Sequence, residues 1–322
     1  MWIHLWRKLY LMIDLHLHLD GSLRPETVRE LLIEEGMELS LEEVSSMLTV
    51  SKDCKDLNDY LRTFEYPVKV LQKAVNIERV VMELGMDLHA ECLTYAEVRF
   101  APMLSTEAGL SIDEVVEAAI RGAVAAMDEC RGFRMGLILC CMRGDNHAAN
   151  MDTVRAASKY LGDVVCALDL AGAEALFDTE LFAEEFKLAR ELGVPFTIHA
   201  GEAAGPESIW KALEMGAKRI GHGIRCIEDD ALVEYLARHE IPLEICPTSN
   251  MQTRVFGDMD EYPLKELFMM GVHTTLNTDN RTVSDTDLKS EREFAKKYCR
   301  MTDEELDAME EYSRQATFLK DK

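Results

Sequence analysis

The residues with the most chemical potential are His16 and His18, two apart in Ile13-Asp14-Leu15-His16-Leu17-His18-Leu19-Asp20-Gly21. A strand alternates faces with a period of two, so Leu15, Leu17 and Leu19 bury one face while both histidines project from the other. Two imidazoles so placed reach a single metal ion. A strand with one wet face that happens to carry two histidines is the plainer reading. Three more polar clusters lie far downstream: His199-Ala200-Gly201-Glu202, Gly221-His222-Gly223 and Asn277-Thr278-Asp279-Asn280. Nitrogen and carboxylate donors without cysteine suit zinc or a similar divalent metal, with one position kept for water. His16, His18, His199 and Asp279 supply such a set, and a metal there would lower the pKa of its water toward neutrality. Glu202 and His222 are then left over. Held in a dry pocket, Glu202 would have a raised pKa and act as an acid. His222, between two glycines, would take a proton from the water or hold hydroxide by charge.

These residues converge only if the elements carrying them do. Strand candidates are 12–18, 94–100, 134–141, 164–170, 194–198, 218–221, 242–246 and 273–277, with helical patterns between most of them. Regular strand–helix alternation implies parallel pairing, and eight units are what a closed (β/α)8 barrel, the TIM barrel, needs. An open doubly wound sheet is the runner-up, but no glycine-rich phosphate turn follows the first strand. In a barrel the C-terminal strand ends form one mouth, and all four polar clusters fall there. Residues 23–92 read as mostly helical, an insertion after the first strand. Within it Leu57, Tyr60, Leu61 and Phe64 share one helical stripe. Core packing explains such a stripe, and the rim of a pocket is the alternative.

The chain has 322 residues and a net charge of −24, which argues against nucleic acid or an anionic membrane as partner. Its nine cysteines lack CxxC spacing, as expected of reduced thiols in a cytoplasmic protein. Residues 1–11 (MWIHLWRKLYL) are apolar but broken by Arg7-Lys8, and make neither a secretory signal nor a membrane span. They read as a tail of doubtful relevance, with Met12 an alternative start. Residues 12–322 read as one domain.

Seven segments carry a resemblance: DLHLHLDGSLRPET (14–27), EVRFAP (97–102), ALDLAGAE (167–174), TIHAGE (197–202), RIGHGI (219–224), LEICPTSN (243–250) and LNTDN (276–280). In order and content they resemble the zinc-dependent adenosine/AMP deaminase family of metal-dependent hydrolases. The resemblance implies one Zn2+ on His16, His18, His199 and Asp279, with Glu202 protonating purine N1 and His222 assisting the attacking hydroxide at C6. It further implies that the Gly172 N–H meets N3, that Asp20 accepts from the ribose 5′-hydroxyl, that His18 borders the substrate, and that Leu57, Tyr60, Leu61 and Phe64 form an apolar lid. The reaction implied is hydrolysis of adenosine or 2′-deoxyadenosine to the inosine product and ammonia, a step of purine salvage. The substrate partner is thus a small purine nucleoside.

Many relatives have Asp-Asp where this chain has Asp279-Asn280. The second residue faces N7, an acceptor, and the amide of Asn280 donates there without titrating. The rival substrates are other 6-aminopurines: adenine, methylthioadenosine or aminofutalosine. Adenine deaminases typically carry Glu at the position of Asp20. A non-catalytic binding protein on this scaffold is the rival of a different class, although all expected ligands and Glu202 are present. Asp169, Glu244 and Ser249 are candidates to orient ligand histidines, or simply buried hydrogen-bonding groups. Arg99 is expected to pair with a carboxylate below the site.

Overall fold

The computed structural model describes residues 12–162 and 164–319, so the proposed tail, residues 1–11, lies outside the described residues. Eight strands follow one another: β1 (Met12–His18), β2 (Leu93–Phe100), β3 (Arg134–Met142), β4 (Val165–Ala171), β5 (Thr197–Ala200), β6 (Arg219–His222), β7 (Leu243–Ile245) and β8 (Thr274–Leu276). All neighbouring pairs are parallel, in two four-stranded arcs, β1 to β4 and β5 to β8. The arcs meet twice. Leu168 N–H donates to the Pro195 carbonyl (3.0 Å), beside a parallel bridge from Leu168 to Phe196. At the other seam His18 N–H donates to the Asp279 carbonyl (2.6 Å) and Asp279 N–H to the His16 carbonyl (2.8 Å). The sheet closes on itself as the expected (β/α)8 barrel. Both faces of such a sheet are covered, which is why β4, Val-Cys-Ala-Leu-Asp-Leu-Ala, is buried along its whole length.

Helices form the outer ring. Ile112–Glu129 begins at Ser111 with a capping box, Ser111 Oγ accepting from the Glu114 amide and the Glu114 carboxylate from the Ser111 amide. It packs on Ala74–Ala90, the last helix of the stretch 23–92. The two approach closely because Gly122 has no side chain: a Cβ there would stand 2.4 Å from the Glu78 carbonyl oxygen. Ala74–Ala90 therefore belongs to the barrel wall, and Leu57–Phe64, earlier in the stretch, stands over the mouth. Pro25–Glu34 and Leu41–Leu48 are regular helices. The stripe residues do not share one long helix: Leu57–Tyr60 is a single α turn, capped by Asp56, that tightens into a 3₁₀ turn over Leu61–Phe64.

The opposite end of the barrel is stopped by the chain's C-terminal part. Helix Asp303–Ala316 packs on β8 and β1, and Phe318 N–H then donates to Glu97 Oε1 (2.6 Å) beneath the strands. The Arg219 guanidinium lies 3.9 Å over the Phe318 ring.

Candidate active site

The strands aim their C-terminal side chains at one point. His16 is fully buried, while the His18 side chain keeps 13% exposure toward the mouth. His16 Nε2 and His18 Nε2 each lie 3.4 Å from Asp279 Oδ1, and His18 Nε2 lies 3.2 Å from His199 Nε2. His16, His199, His222 and Asp279 also bring donor atoms within 4.8 Å of one another. Five potential ligands therefore meet, and hydrogen bonds on their far sides distinguish them. His16 Nδ1 bonds Glu244 Oε2 (2.8 Å), and His199 Nδ1 faces Asp169 Oδ2 (2.8 Å). A carboxylate at Nδ1 holds the proton there and leaves the Nε2 lone pair for a metal. His16 Nε2 is buried without a hydrogen-bond partner, as a ligand atom would be. His222 is held the other way round: Asn250 Nδ2 donates to its Nδ1 (3.0 Å), and the Tyr262 hydroxyl fixes the amide by donating to Asn250 Oδ1 (2.8 Å). Burial, then the His16 ring, keeps His222 well below its ordinary pKa, so the ring is neutral and its Nε2 carries the proton. His222 turns an N–H, not a lone pair, toward the centre, so it donates a hydrogen bond there instead of taking the water's proton or holding hydroxide by charge, the two roles expected from the sequence.

Below the histidines lies a fully buried ionic layer. Arg99 donates to Asp169 Oδ2 (3.0 Å), to Glu244 Oε2 (2.8 Å) and to the Leu15 carbonyl (2.7 Å). Arg219 donates to Glu244 Oε1 (2.6 Å) and pairs with Glu97 (2.6 Å). The carboxylates that orient His16 and His199 are thus kept ionised: burial alone would raise Asp169 and Glu244, but the His199 ring and the Arg99 guanidinium beside the first and the Arg99 and Arg219 guanidiniums beside the second outweigh it. Arg99 pairs below the site as expected. Ser249 is buried but bonds none of the histidine rings.

Two of the seven described non-glycine residues with positive φ lie here. His222 (φ 57°) and Asp279 (φ 60°) occupy the left-handed region, which costs a non-glycine residue roughly 1–3 kcal/mol. Gly221 lets the His16 ring approach, since a Cβ there would stand 3.2 Å from His16 Cε1.

Above the cluster opens a cavity of about 220 Å³. His18, His199, His222, Asp279, Glu202, Asp20, Gly172 and Asn280 line it, and Leu57, Tyr60, Leu61 and Phe64 roof it. Every candidate residue except the deeper His16 therefore reaches one space. An apolar wall of Ala101, Leu104, Cys140, Met142 and Ala171 completes it; only the quoted EVRFAP and ALDLAGAE segments hinted at part of this wall. Glu202 accepts from Thr253 Oγ1 (3.2 Å) and lies 3.6 Å from His222 Nε2. Burial, then the Asp279 and Glu174 charges, holds its carboxyl well above the ordinary range. Burial likewise pushes Asp20 up to about 6, and its Oδ1 is buried without a partner. Such a site offers a donor cluster for a divalent metal, a protonated acid across from it, and an unpaired acceptor at the rim.

The family model for adenosine deaminase matches residues 12–322. An adenosine deaminase of Haemophilus ducreyi is 47% identical over 297 residues, covering 90% of this chain and 86% of that protein. One of Clostridium acetobutylicum is 43% identical over 283 residues, covering 87% and 84%. Among solved structures, the N6-methyl-AMP deaminase of Arabidopsis thaliana superposes with a TM-score of 0.83 at 26% identity, covering 96% of this chain and 92% of that one. An adenine deaminase of Arthrobacter aurescens gives 0.89 at 24% identity, covering 97% and 94%, which speaks to the fold. With sequence, barrel and family match in agreement, the chain belongs to the adenosine deaminase family.

Proposed function

We propose that this protein is a metal-dependent adenosine deaminase that hydrolyses adenosine and 2′-deoxyadenosine to inosine or deoxyinosine and ammonia, a purine-salvage reaction. The observation that carries this reading is the single cavity in which Glu202, His222 and the His/Asp cluster face Asp20 and Asn280. We assign one zinc ion to His16, His18, His199 and Asp279, because carboxylates face the Nδ1 atoms of His16 and His199 and leave their Nε2 lone pairs free, while the Asn250 bond denies one to His222. When bound there, the metal supplies an activated water at neutral pH.

The protein's own groups do the rest. Glu202, held protonated by burial, gives its proton to N1, which draws electron density from C6 and opens it to attack. The His222 Nε2–H bonds the attacking oxygen and aims it. C6 becomes tetrahedral, the amino group takes the proton of the new C6 hydroxyl and leaves as ammonia while the C6 carbonyl forms, and the proton released by the water that supplied the hydroxide restores Glu202. One water is consumed and no covalent enzyme bond forms. The Gly172 N–H and the Asn280 amide hold the ring at N3 and N7. Asp20, with an unpaired oxygen, accepts from the 5′-hydroxyl. The roof at Leu57–Phe64 acts as a lid that excludes water, with the stretch ahead of the wall helix Ala74–Ala90 an insertion in one domain, 12–322.

Two features favour a nucleoside over a nucleotide. No lysine or arginine is among the residues lining the cavity, and a phosphate needs such a counter-charge. Asp20 instead adds a negative charge where the phosphate would lie. Among the described residues no helix is long and apolar enough to cross a membrane, and all nine cysteines are free, which supports a cytoplasmic setting. The test is an absorbance assay with adenosine, deoxyadenosine, adenine and AMP, with metal measured on the same sample. The two nucleosides should exceed adenine and AMP by at least about 10² in kcat/KM, as expected where a buried polar group is left unpaired. Preference for adenine or AMP would overturn the substrate reading.

A further inference from the structure

Glu174, beyond β4, is not among the residues lining the cavity, yet few side chains here are so fully engaged. It is 3% exposed. Its Oε1 accepts from Gly201 N–H (2.8 Å) and Ser208 Oγ (2.6 Å). Its Oε2 accepts from the N–H groups of Glu202 (3.1 Å), Ala203 (2.7 Å) and Ala204 (2.9 Å). Five donors saturate a carboxylate, and four of them are consecutive amides. Those amides need it: 201–204 lies between β5 and helix Pro206–Met215 and belongs to neither, so no ladder or helical bond serves them.

A second set of bonds reinforces the first. Arg143, just past β3, donates to the His199 carbonyl (2.6 Å) and to Thr179 Oγ1 (3.0 Å). Thr179 Oγ1 lies 2.8 Å from Ser208 Oγ, which closes the chain onto Glu174. The end of β5 and the segment after it are thereby gripped from the two preceding strands. Glu174 is also two residues from Gly172, which lines the cavity at φ 102°. One carboxylate therefore ties the turn that presents the Gly172 amide to the turn that presents Glu202.

We propose that Glu174 is a positioning residue for the deamination: by capping amides 201–204 it fixes the Glu202 carboxyl relative to the bound purine. The inference rests on the reading of Glu202 as the acid. An uncharged amide at this position would set its own NH₂ against amide donors, and the 201–204 turn would relax.

The test is a double-mutant cycle on the full chain with metal loaded and quantified. Glu174→Gln should lower kcat about 10²-fold with KM within about threefold, the scale of a 1 Å misplacement. In a Glu202→Gln background the same change should cost less than about threefold, because its effect passes through Glu202. Hydrogen exchange supplies a readout without catalysis: the peptide spanning 201–204 should lose protection in Glu174→Gln. Equal losses of kcat in both backgrounds, or unchanged exchange at 201–204, would overturn the proposal. Parental turnover in Glu202→Gln alone would instead sink the acid assignment. Should Glu174→Gln fail to fold, Glu174→Asp, one methylene shorter, should show a loss of about tenfold that likewise vanishes in the Glu202→Gln background.

Discussion

The side-chain amide of Asn250 lies 3.0 Å from Nδ1 of His222 and donates to it, which decides the nitrogen that ring presents to the substrate. Replacing Asn250 by Asp reverses the bond: a carboxylate demands the proton on Nδ1 and turns an Nε2 lone pair inward. We expect Asn250→Asp to lower kcat by about 10²–10⁴ while metal stays bound, the cost of a catalytic imidazole in the wrong tautomer. Steady-state kinetics with metal analysis checks this, and a variant at parental kcat would refute it.

Proximity alone leaves His18 and His222 both eligible as the third nitrogen ligand. The Asn250 bond gives His222 an N–H where a ligand needs a lone pair, and our assignment therefore takes His18. We expect His18→Ala to weaken metal retention at least about tenfold in a chelator competition, and His222→Ala to retain metal but lose turnover. The reverse pattern would exchange the two roles.

Asn280 rests on the backbone of Gly21, where an added Cβ would stand 1.9 Å from Asn280 Oδ1. In the proposed reading its NH₂ is the donor to N7, a role it can fill at any pH. An aspartate must be protonated to do the same, so in Asn280→Asp the KM for adenosine should rise with pH, by roughly tenfold once the carboxyl ionises and faces an acceptor unpaired. Flat KM values from pH 5 to 8 in both proteins would count against this contact.

Stability should carry its own pH signature, away from the cavity. Burial raises Glu291 from 4.5 to about 7, and its carboxylate accepts from Thr286 Oγ1 (2.5 Å) and from the Thr248 N–H (3.1 Å). A folded-state pKa above the unfolded one means the folded protein binds more protons between those values. Stability is therefore full below about 4.5 and is lost as pH rises to about 7. Glu291→Gln cannot ionise, so it should stabilise the protein by about 2 kcal/mol at pH 8 and change little at pH 4.5. Thermal unfolding at the two pH values reads this directly.

The barrel was legible because strand–helix alternation is a local, periodic signal, and His16, His18, His199, His222 and Asp279 were legible because polar residues interrupt it at strand ends. The break at Leu61 was not, since a 3₁₀ turn satisfies the same apolar spacing as an α turn. Nor was the place of Ala74–Ala90 in the wall, which depends on Gly85 and Gly122 meeting another helix. Asn250 and Glu174 stood inside quoted motifs without a role. Their partners, His222 and the 201–204 amides, lie more than 25 residues away, and no periodicity connects them.

The seam between β8 and β1 joins His16 and His18 to Asp279 across more than 250 residues of chain. During synthesis the first strand must wait, its histidines without their carboxylate partner, until the eighth has left the ribosome. Metal capture and ring closure then become one late event. A chain interrupted before Asp279 would carry most of the barrel and lack the one carboxylate of the proposed ligand set.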